Sequence, residues 1–204
     1  MNAEAAIIVF ARAPIAGAVK TRLIPRLGAA GAARLQQRLT RSTLCMARNS
    51  RCGRVELHLT RPHALFPDAR LQRGTDLGER MENALAAALR RHRSAILIGT
   101  DAPALTGADL RRAARWLRGG ADIVLAPAED GGYALIAARR ISPGVFRGIA
   151  WGSDSVYAES VKRIEAAGLK WRALRTLWDV DRPADLERLR SLRFSSASRR
   201  CARR

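Results

Sequence analysis

The stretch that decides the fold is Ile96-Leu97-Ile98-Gly99-Thr100-Asp101-Ala102-Pro103-Ala104-Leu105. Its three consecutive aliphatic residues predict a strand buried on both faces, as in parallel sheets covered by helices. Pro103 prevents the strand from continuing, and Thr106 with Asp109 has the pattern of a capping box that begins the next helix. Asp101 is therefore expected at the carboxyl end of a central strand, where open α/β sheets bind ligands. The alternative is that Asp101 only forms a turn.

Composition limits the class of protein. The 204 residues fit one domain, no stretch approaches the ~20 apolar residues that span a membrane, and the N-terminus lacks a secretory pattern. The three cysteines are unpatterned, which favours a reducing, cytoplasmic location. The net charge of +19 is carried almost entirely by arginine, without the aromatic residues that accompany nucleic-acid motifs. We therefore expect solvated basic faces that attract anions such as nucleotide phosphates, and no specific nucleic-acid site.

Strand and helix patterns alternate along the chain, which predicts an α/β fold. Strands are expected at 6–11, 55–59, 96–98, 122–126, 134–137 and within 169–177, with a possible short strand in 66–73. Helices are expected at about 28–48, from 77 with a buried stripe of Leu77, Met81, Leu85 and Leu89, from about 107 to 119, from 155 to about 168, and from 183. His58 alternates with apolar neighbours and is expected to be half-exposed. Residues 1–192 form the predicted domain, and 193–204 a basic, disordered tail.

Five loops that follow strand ends carry charge or glycine: 12–22, 76–80, 100–103, 129–133 and 178–181. In the first, Gly17 would let a ligand approach the backbone, and Lys20 and Arg22 supply positive charge without forming a Walker loop. Both lie outside the apolar stripes, so replacing them is expected to leave the fold intact. If 179–181 is extended, Asp179 and Asp181 face one side, although Asp181 also fits the N-cap of the last helix. Carboxylates that hold a divalent metal, beside these cations, would bind a diphosphate well.

Five ordered motifs resemble the DUF2064 family of GT-A-type glycosyltransferases, the nucleotide-diphospho-sugar transferase superfamily. They are Pro14-x-x-Gly17-x-x-Lys20-Thr21-Arg22-Leu23, Asp76-Leu77-Gly78-Glu79-Arg80-Met81, Gly99-Thr100-Asp101-x-Pro103, Pro127-Ala128-Glu129-Asp130-Gly131-Gly132-Tyr133 and Asp179-Val180-Asp181-x-Pro183-x-Asp185-Leu186. The resemblance runs from about residue 6 to 190. It implies a single-domain GT-A fold, with a Rossmann-like, mainly parallel sheet and helices on both faces. Such transferases often use Asp-x-Asp for the metal, whereas Gly99 and Pro103 flank Asp101 here.

The resemblance also implies four groups of site residues: nucleotide-binding, substrate-binding, catalytic and metal-binding. The nucleotide would contact Ala11, Arg12, Pro14, Gly17, Lys20, Arg22, Asp76, Arg80 and Thr100. The substrate would contact Glu129, Gly131, Gly132 and Tyr133, and catalysis would use Asp101, Asp130 and Asp181. Asp101 and Asp181 would bind the divalent metal, Mg²⁺ or Mn²⁺.

The function that these residues indicate is a metal-dependent glycosyltransferase with a nucleotide-diphospho-sugar donor. A nucleotidyltransferase that releases pyrophosphate is the alternative, but the leading glycine-rich loop of many such enzymes is absent. A non-catalytic nucleotide-binding protein is the third hypothesis. The expected partners are a nucleotide sugar or nucleotide and a small-molecule acceptor, with no membrane span and with a homodimer as an allowed assembly.

Overall fold

The computed structural model describes residues 5–142 and 144–192, which form a seven-stranded sheet with helices on both faces. The elements in chain order are β1 (Ala5–Ala11), α1 (Ile24–Ser50), β2 (Arg54–Leu59), β3 (Arg70–Leu71), α2 (Leu77–Leu89), β4 (Ser94–Ile98), α3 (Gly107–Arg118), β5 (Ile123–Pro127), β6 (Tyr133–Ala138), α4 (Val156–Ala166), β7 (Trp171–Ala173) and α5 (Asp185–Ser191). A short 3₁₀ turn, Thr21–Leu23, precedes α1. The predicted tail, 193–204, lies outside the described residues.

The strand order is β3-β2-β1-β4-β6-β5-β7, so β4 lies at the centre. The pairs β1–β2, β1–β4, β2–β3 and β5–β7 are parallel, whereas β6 is antiparallel to both β4 and β5. The exception arises because β5 and β6 are joined by a short hairpin, and a tight connection forces antiparallel pairing. The mainly parallel sheet predicted from the sequence is confirmed.

The central strand explains why helices cover both faces. All five residues of β4 are buried, and its side chains alternate between two cores. Ile96 and Ile98 pack in the core beneath α1 and α3. Leu97 packs in the other core, with Met81 of α2 and Ile164 of α4. The capping box is also present, because the Thr106 and Asp109 side chains each accept a hydrogen bond from the other's backbone N–H.

Two helix starts differ from the sequence-based expectation. The first helix begins at Ile24 and is interrupted at Gly28, whose φ of 68° suits glycine. The last helix begins at Asp185 rather than directly after Pro183. The idea that Asp181 caps this helix is wrong, since Asp185 accepts the backbone N–H groups of Asp181 and Arg182 instead. The Asp181 carboxylate is therefore available for other contacts.

Two side chains are placed differently from expectation. Leu77 is 44% exposed because it is the first residue of α2, so the buried stripe starts at Met81. His58 is buried rather than half-exposed: its ring stacks on Phe10, and its Nε2 lies 3.5 Å from Glu56 Oε2. Within the described ranges, no helix is both long and apolar enough to cross a membrane.

Candidate active site

The loop that follows β1 places a buried lysine at the carboxyl edge of the sheet. Lys20 adopts the left-handed conformation, with φ 49° and ψ 41°, which is uncommon for a residue other than glycine. Its Nζ donates to the Val180 carbonyl at 2.6 Å and lies 2.8 Å from Asp101 Oδ1. Because the Lys20 side chain is only 4% exposed, these contacts satisfy a charge that burial would otherwise disfavour. Lys20 is thus a buried, doubly bonded residue rather than a free loop side chain, and we expect its replacement to destabilise the fold.

Asp101 lies directly beyond β4, as predicted, and its side chain is half exposed. The buried Thr100 hydroxyl donates to Asp101 Oδ1 at 3.3 Å and accepts from Gln36 Nε2 at 3.0 Å. The Asp101 carbonyl accepts the backbone N–H of Val180 at 2.8 Å. The carboxylate is thus fixed from three sides, by Lys20, by Thr100 and by its own backbone.

The loop 178–181, here called the late loop, brings a second carboxylate to the loop 12–22, here called the basic loop. Asp181 forms an ion pair with Arg22, and both side chains are substantially exposed. Val180, between the two aspartates, is fully buried against Leu23 and Leu189. This alternation agrees with the expectation that Asp179 and Asp181 face the same side.

Asp179 is partly buried and lies near other carboxylates of the site, and its pKa is shifted as a result. Burial, followed by the nearby carboxylates of Asp130 and Asp101, raises the pKa of Asp179 to about 7, against the opposing effect of Lys20. Asp130 itself is exposed, and its Oδ1 accepts the backbone N–H of Gly132 at 2.9 Å. Four carboxylates, including Asp181, therefore share one site with a buried ammonium group.

In the hairpin between β5 and β6, the predicted substrate-binding residues mainly make contacts with other parts of the protein. Glu129 forms a two-bond ion pair with Arg188, at 2.8 and 3.1 Å. Gly131 has φ 87°, and a Cβ there would lie 2.0 Å from the Asp154 carbonyl oxygen. The place expected for a ligand at Gly131 is thus taken by backbone.

The last residue of this group, Tyr133, packs its ring edge-on against Trp151, and its hydroxyl is buried. Burial raises the pKa of this hydroxyl, so Tyr133 remains neutral at ordinary pH.

The remaining residues of the predicted nucleotide site fall into two groups. Pro14 is buried, the Ala11 carbonyl accepts from Thr60 N–H, and Arg12 and Gly17 are exposed. Gly17 has φ 82°, and no atom lies within 4 Å of the position where a Cβ would be, so its backbone is open to a ligand.

The 76–80 loop has structural roles of its own. Asp76 caps α2 by accepting Glu79 N–H at 2.8 Å, and Arg80 Nε donates to the Gly74 carbonyl. Among the described residues, neither Asp76 nor Arg80 forms a hydrogen bond or ion pair with the Lys20–Asp101 pair.

Comparisons with known proteins show the family to which the chain belongs. The model of DUF2064, described as "Uncharacterized protein conserved in bacteria", matches residues 66–153. A crystal structure from Desulfovibrio desulfuricans G20, described as a "putative nucleotide-diphospho-sugar transferase", is 31% identical, with 95% of this chain and 89% of that chain covered and a TM-score of 0.86. The chain belongs to the DUF2064 family. No curated protein sequence matches it.

More distant structures share the fold of this DUF2064 protein. An inositol-1-phosphate CTP transferase from T. maritima is 13% identical, with 97% of each chain covered and a TM-score of 0.54. Rv0371C of Mycobacterium tuberculosis H37Rv, solved as a complex with manganese, is 20% identical, with 93% of this chain and 99% of that chain covered and a TM-score of 0.55. The single-domain, mainly parallel fold of the nucleotide-diphospho-sugar transferase type expected from the sequence is thus confirmed.

Two residues of the candidate site were missing from the set of site residues predicted from the sequence. Gln36, which orients Thr100, lies in a helix whose pattern marks only its apolar face. Asp179 was predicted only to face the same side as Asp181. The spacing of two residues between them was the one sequence signal that pointed to Asp179. Its importance comes from Asp130 and Asp101, which lie far away in sequence.

The raised pKa of Asp179 leads to a prediction about stability. Between pH 4 and 7 the folded protein holds this proton more tightly than the unfolded chain, so the free energy of unfolding falls as pH rises through that range. In EDTA-containing buffer, Asp179→Asn is expected to be more stable than the wild type at pH 8, by up to about 4 kcal/mol. Urea unfolding at pH 5, 6.5 and 8 measures the difference, which should shrink towards low pH. Asp68→Asn, at an exposed carboxylate, is the control. A gain that does not change with pH would contradict the prediction.

Proposed function

We propose that this DUF2064 protein is a metal-dependent glycosyltransferase that uses a nucleotide-diphospho-sugar donor and a small-molecule acceptor. The observation that carries the proposal is the Lys20–Asp101 pair, held at the carboxyl end of the central strand beside three further carboxylates. A site of this kind suits a diphosphate together with a bound cation. The carboxylates would repel a diphosphate without its cation, and Lys20 would repel a cation without the diphosphate. The open backbone at Gly17 and the exposed Arg12 lie in the loop that also carries Lys20.

The residues present fit a divalent metal of the Mg²⁺ type. Within the described part of the chain, no three His, Cys, Asp or Glu side chains are arranged to hold a metal by themselves. Mg²⁺, however, is commonly held by one or two carboxylates together with substrate phosphates and water. Asp101 and Asp181, as expected from the sequence, or Asp101 with Asp179, would supply those carboxylates. Burial and, after it, the negative charges of Asp130 and Asp101 raise the pKa of Asp179, and a cation would neutralise those charges. A bound metal would neutralise charge on the departing diphosphate.

The chain's own residues would divide the remaining work. Lys20 fixes the Asp101 carboxylate and reduces the repulsion around Asp179. Arg22 would move from Asp181 to the donor phosphates, since its guanidinium is exposed and can form two bonds to one phosphate. Asp130 Oδ1 is engaged by Gly132, which leaves Oδ2 to accept the proton of an acceptor hydroxyl.

Nucleotidyl transfer is the second candidate, and the shared fold with the T. maritima CTP transferase supports it. The two reactions differ in the leaving group. A glycosyltransferase releases a nucleoside diphosphate from a nucleotide sugar, whereas a nucleotidyltransferase releases pyrophosphate from a nucleoside triphosphate. Many nucleotidyltransferases have a glycine-rich phosphate loop at this place, whereas the loop 12–20 contains a single glycine. This difference favours sugar transfer over nucleotidyl transfer.

A ligand panel tests the proposal directly. Melting temperatures would be measured with nucleotide sugars and nucleoside triphosphates, each with Mn²⁺ and with EDTA. A ligand at 100 times its Kd should stabilise the fold by about 2.7 kcal/mol. Every stabilising ligand would then be tested for release of nucleoside diphosphate or pyrophosphate. Release of pyrophosphate alone would favour the second candidate, and binding without turnover of any donor would indicate a non-catalytic nucleotide-binding protein.

Arg22→Ala is expected to weaken nucleotide binding without unfolding the protein. The Arg22 side chain is 67% exposed, and its loss removes a charge-assisted contact worth about 1.5–3 kcal/mol, or roughly tenfold or more in Kd. Arg26→Ala removes the same charge from an exposed position one turn further along and serves as the control. Calorimetric titration measures both. Equal affinities in the two variants would mean that the phosphates do not lie over β1.

A further inference from the structure

A second concave surface lies between the end of α1 and α3, and arginine dominates its lining. Five arginines surround a cavity of about 800 Å³: Arg48, Arg51, Arg111, Arg115 and Arg118. The rest of the lining is uncharged and includes Cys52, and it contains neither a carboxylate nor an aromatic ring. We refer to this surface, defined by the five arginines, as the arginine cleft.

The helices present these arginines in two rows. Arg111, Arg115 and Arg118 are spaced i, i+4 and i+7, which places them on one face of α3. Arg48 and Arg51 lie at the end of α1. The two helices approach closely at Gly107, where a Cβ would be only 3.4 Å from Ser50 Cα. The cleft is thus formed by two packed helices rather than by a loop.

Four of the five arginines of the cleft have no ion pair with the described part of the protein. Among the residues that the structure describes, no ion pair engages Arg48, Arg51, Arg111 or Arg115. By comparison, Arg139, Arg175 and Arg188 each pair with a carboxylate. Like charges at i and i+4 repel one another on a helix. The dipole of α1 favours Arg48 in its last turn, but Arg111, in the second turn of α3, gains nothing of that kind. A ligand with several negative charges would remove this repulsion.

We propose that the arginine cleft binds a small ligand that carries several phosphate groups. Guanidinium groups match phosphate oxygens in geometry and stay charged at any physiological pH. The lining has no aromatic ring on which a nucleobase could stack, so we expect recognition to rest on the phosphates. The cavity volume is in the range of small-molecule sites. The rise of α1 from Gly28 to Arg48 places the cleft about 30 Å from the basic loop, so this site is separate from the proposed active site.

Titration with sodium tripolyphosphate tests the site in the full chain. Calorimetry at low salt would compare the wild type with R111A/R115A and with the charge-matched control R90A/R112A. Arg90 and Arg112 are exposed and lie outside the cleft, and both double variants remove two positive charges. The expected result is at least a tenfold increase in Kd for R111A/R115A and less than a twofold change for the control. Equal weakening in both variants would overturn the proposal, because it would show attraction to net charge alone.

A second measurement needs no variant. Cys52 lines the cleft and is partly exposed, so bound tripolyphosphate should slow its alkylation at least threefold, measured on the Cys52 peptide by mass spectrometry. Unchanged alkylation at saturating tripolyphosphate would count against the site. A short DNA duplex is the competing ligand. If the duplex binds and loses affinity only in R111A/R115A, while tripolyphosphate does not bind, the cleft is a nucleic-acid surface and the proposal is wrong.

Discussion

Asp101→Asn is expected to abolish turnover of the donor and to remove the metal dependence of nucleotide binding. Asparagine keeps the size of the side chain and its place beyond β4, but it cannot supply the negative charge that a divalent cation needs. If that charge supplies about 4 kcal/mol of transition-state stabilisation, the rate should fall about 10³-fold. The melting temperature should change little, because the loss of the Lys20 pair is offset by reduced repulsion on Asp179.

Donor turnover and nucleotide affinity, each measured with Mn²⁺ and with EDTA, check this expectation. Asp68→Asn removes the same charge at an exposed position outside the site and should behave like the wild type. If Asp101→Asn retains an undiminished response to Mn²⁺, Asp101 is only a turn residue. The metal ligands would then have to be sought among Asp130, Asp179 and Asp181.

Lys20→Met is expected to destabilise the fold by about 2–3 kcal/mol at pH 8. Methionine keeps most of the side-chain volume, but it leaves the Val180 carbonyl without its donor and Asp101 without its cation. The pKa of Asp179 should rise further, because the positive charge of Lys20 opposes the increase. The destabilisation should therefore be smaller at pH 5, where Asp179 is already protonated.

Urea unfolding of Lys20→Met, Asp101→Asn and the double variant forms a cycle that isolates the coupling between the two side chains. The double variant should be more stable than the sum of the single effects predicts, by about 0.5–3 kcal/mol. Strict additivity would mean that the 2.8 Å contact between Lys20 and Asp101 contributes nothing to the fold.

The parts of the site that sequence predicts well are those determined by local patterns. The aliphatic run before Asp101 and the capping box after it specify the end of β4 and the direction of the chain, and both are confirmed. The basic loop after β1 was found in the same way. These predictions succeed because each depends on residues within about ten positions along the chain.

The parts that sequence missed depend on contacts between distant segments. Lys20 is separated from Val180 by 160 residues, and nothing local to Lys20 indicates that it is buried. Asp179 acquires its raised pKa from loops that only the completed sheet brings together. Likewise, Glu129 and Arg188 are 59 residues apart, so their pairing, which removes Glu129 from the freely available carboxylates, had no sequence signal.

The length of the late loop matches the distance that it spans across the sheet. Leu177 continues the pairing on the β7 side of β5 by bridging to Ala128, whereas Val180 is hydrogen-bonded to Asp101 at the end of β4. Three strand spacings, about 14 Å, separate Leu177, at the position of β7, from Asp101, at the end of β4. Three residues reach at most about 10 Å, and the final hydrogen bond spans about 5 Å, so the segment has to run nearly straight over the ends of β5 and β6. The number of residues between Leu177 and Val180 thus sets where Asp179 lies: one more would slacken the span and turn its carboxylate to the opposite side, and one fewer could not reach Asp101.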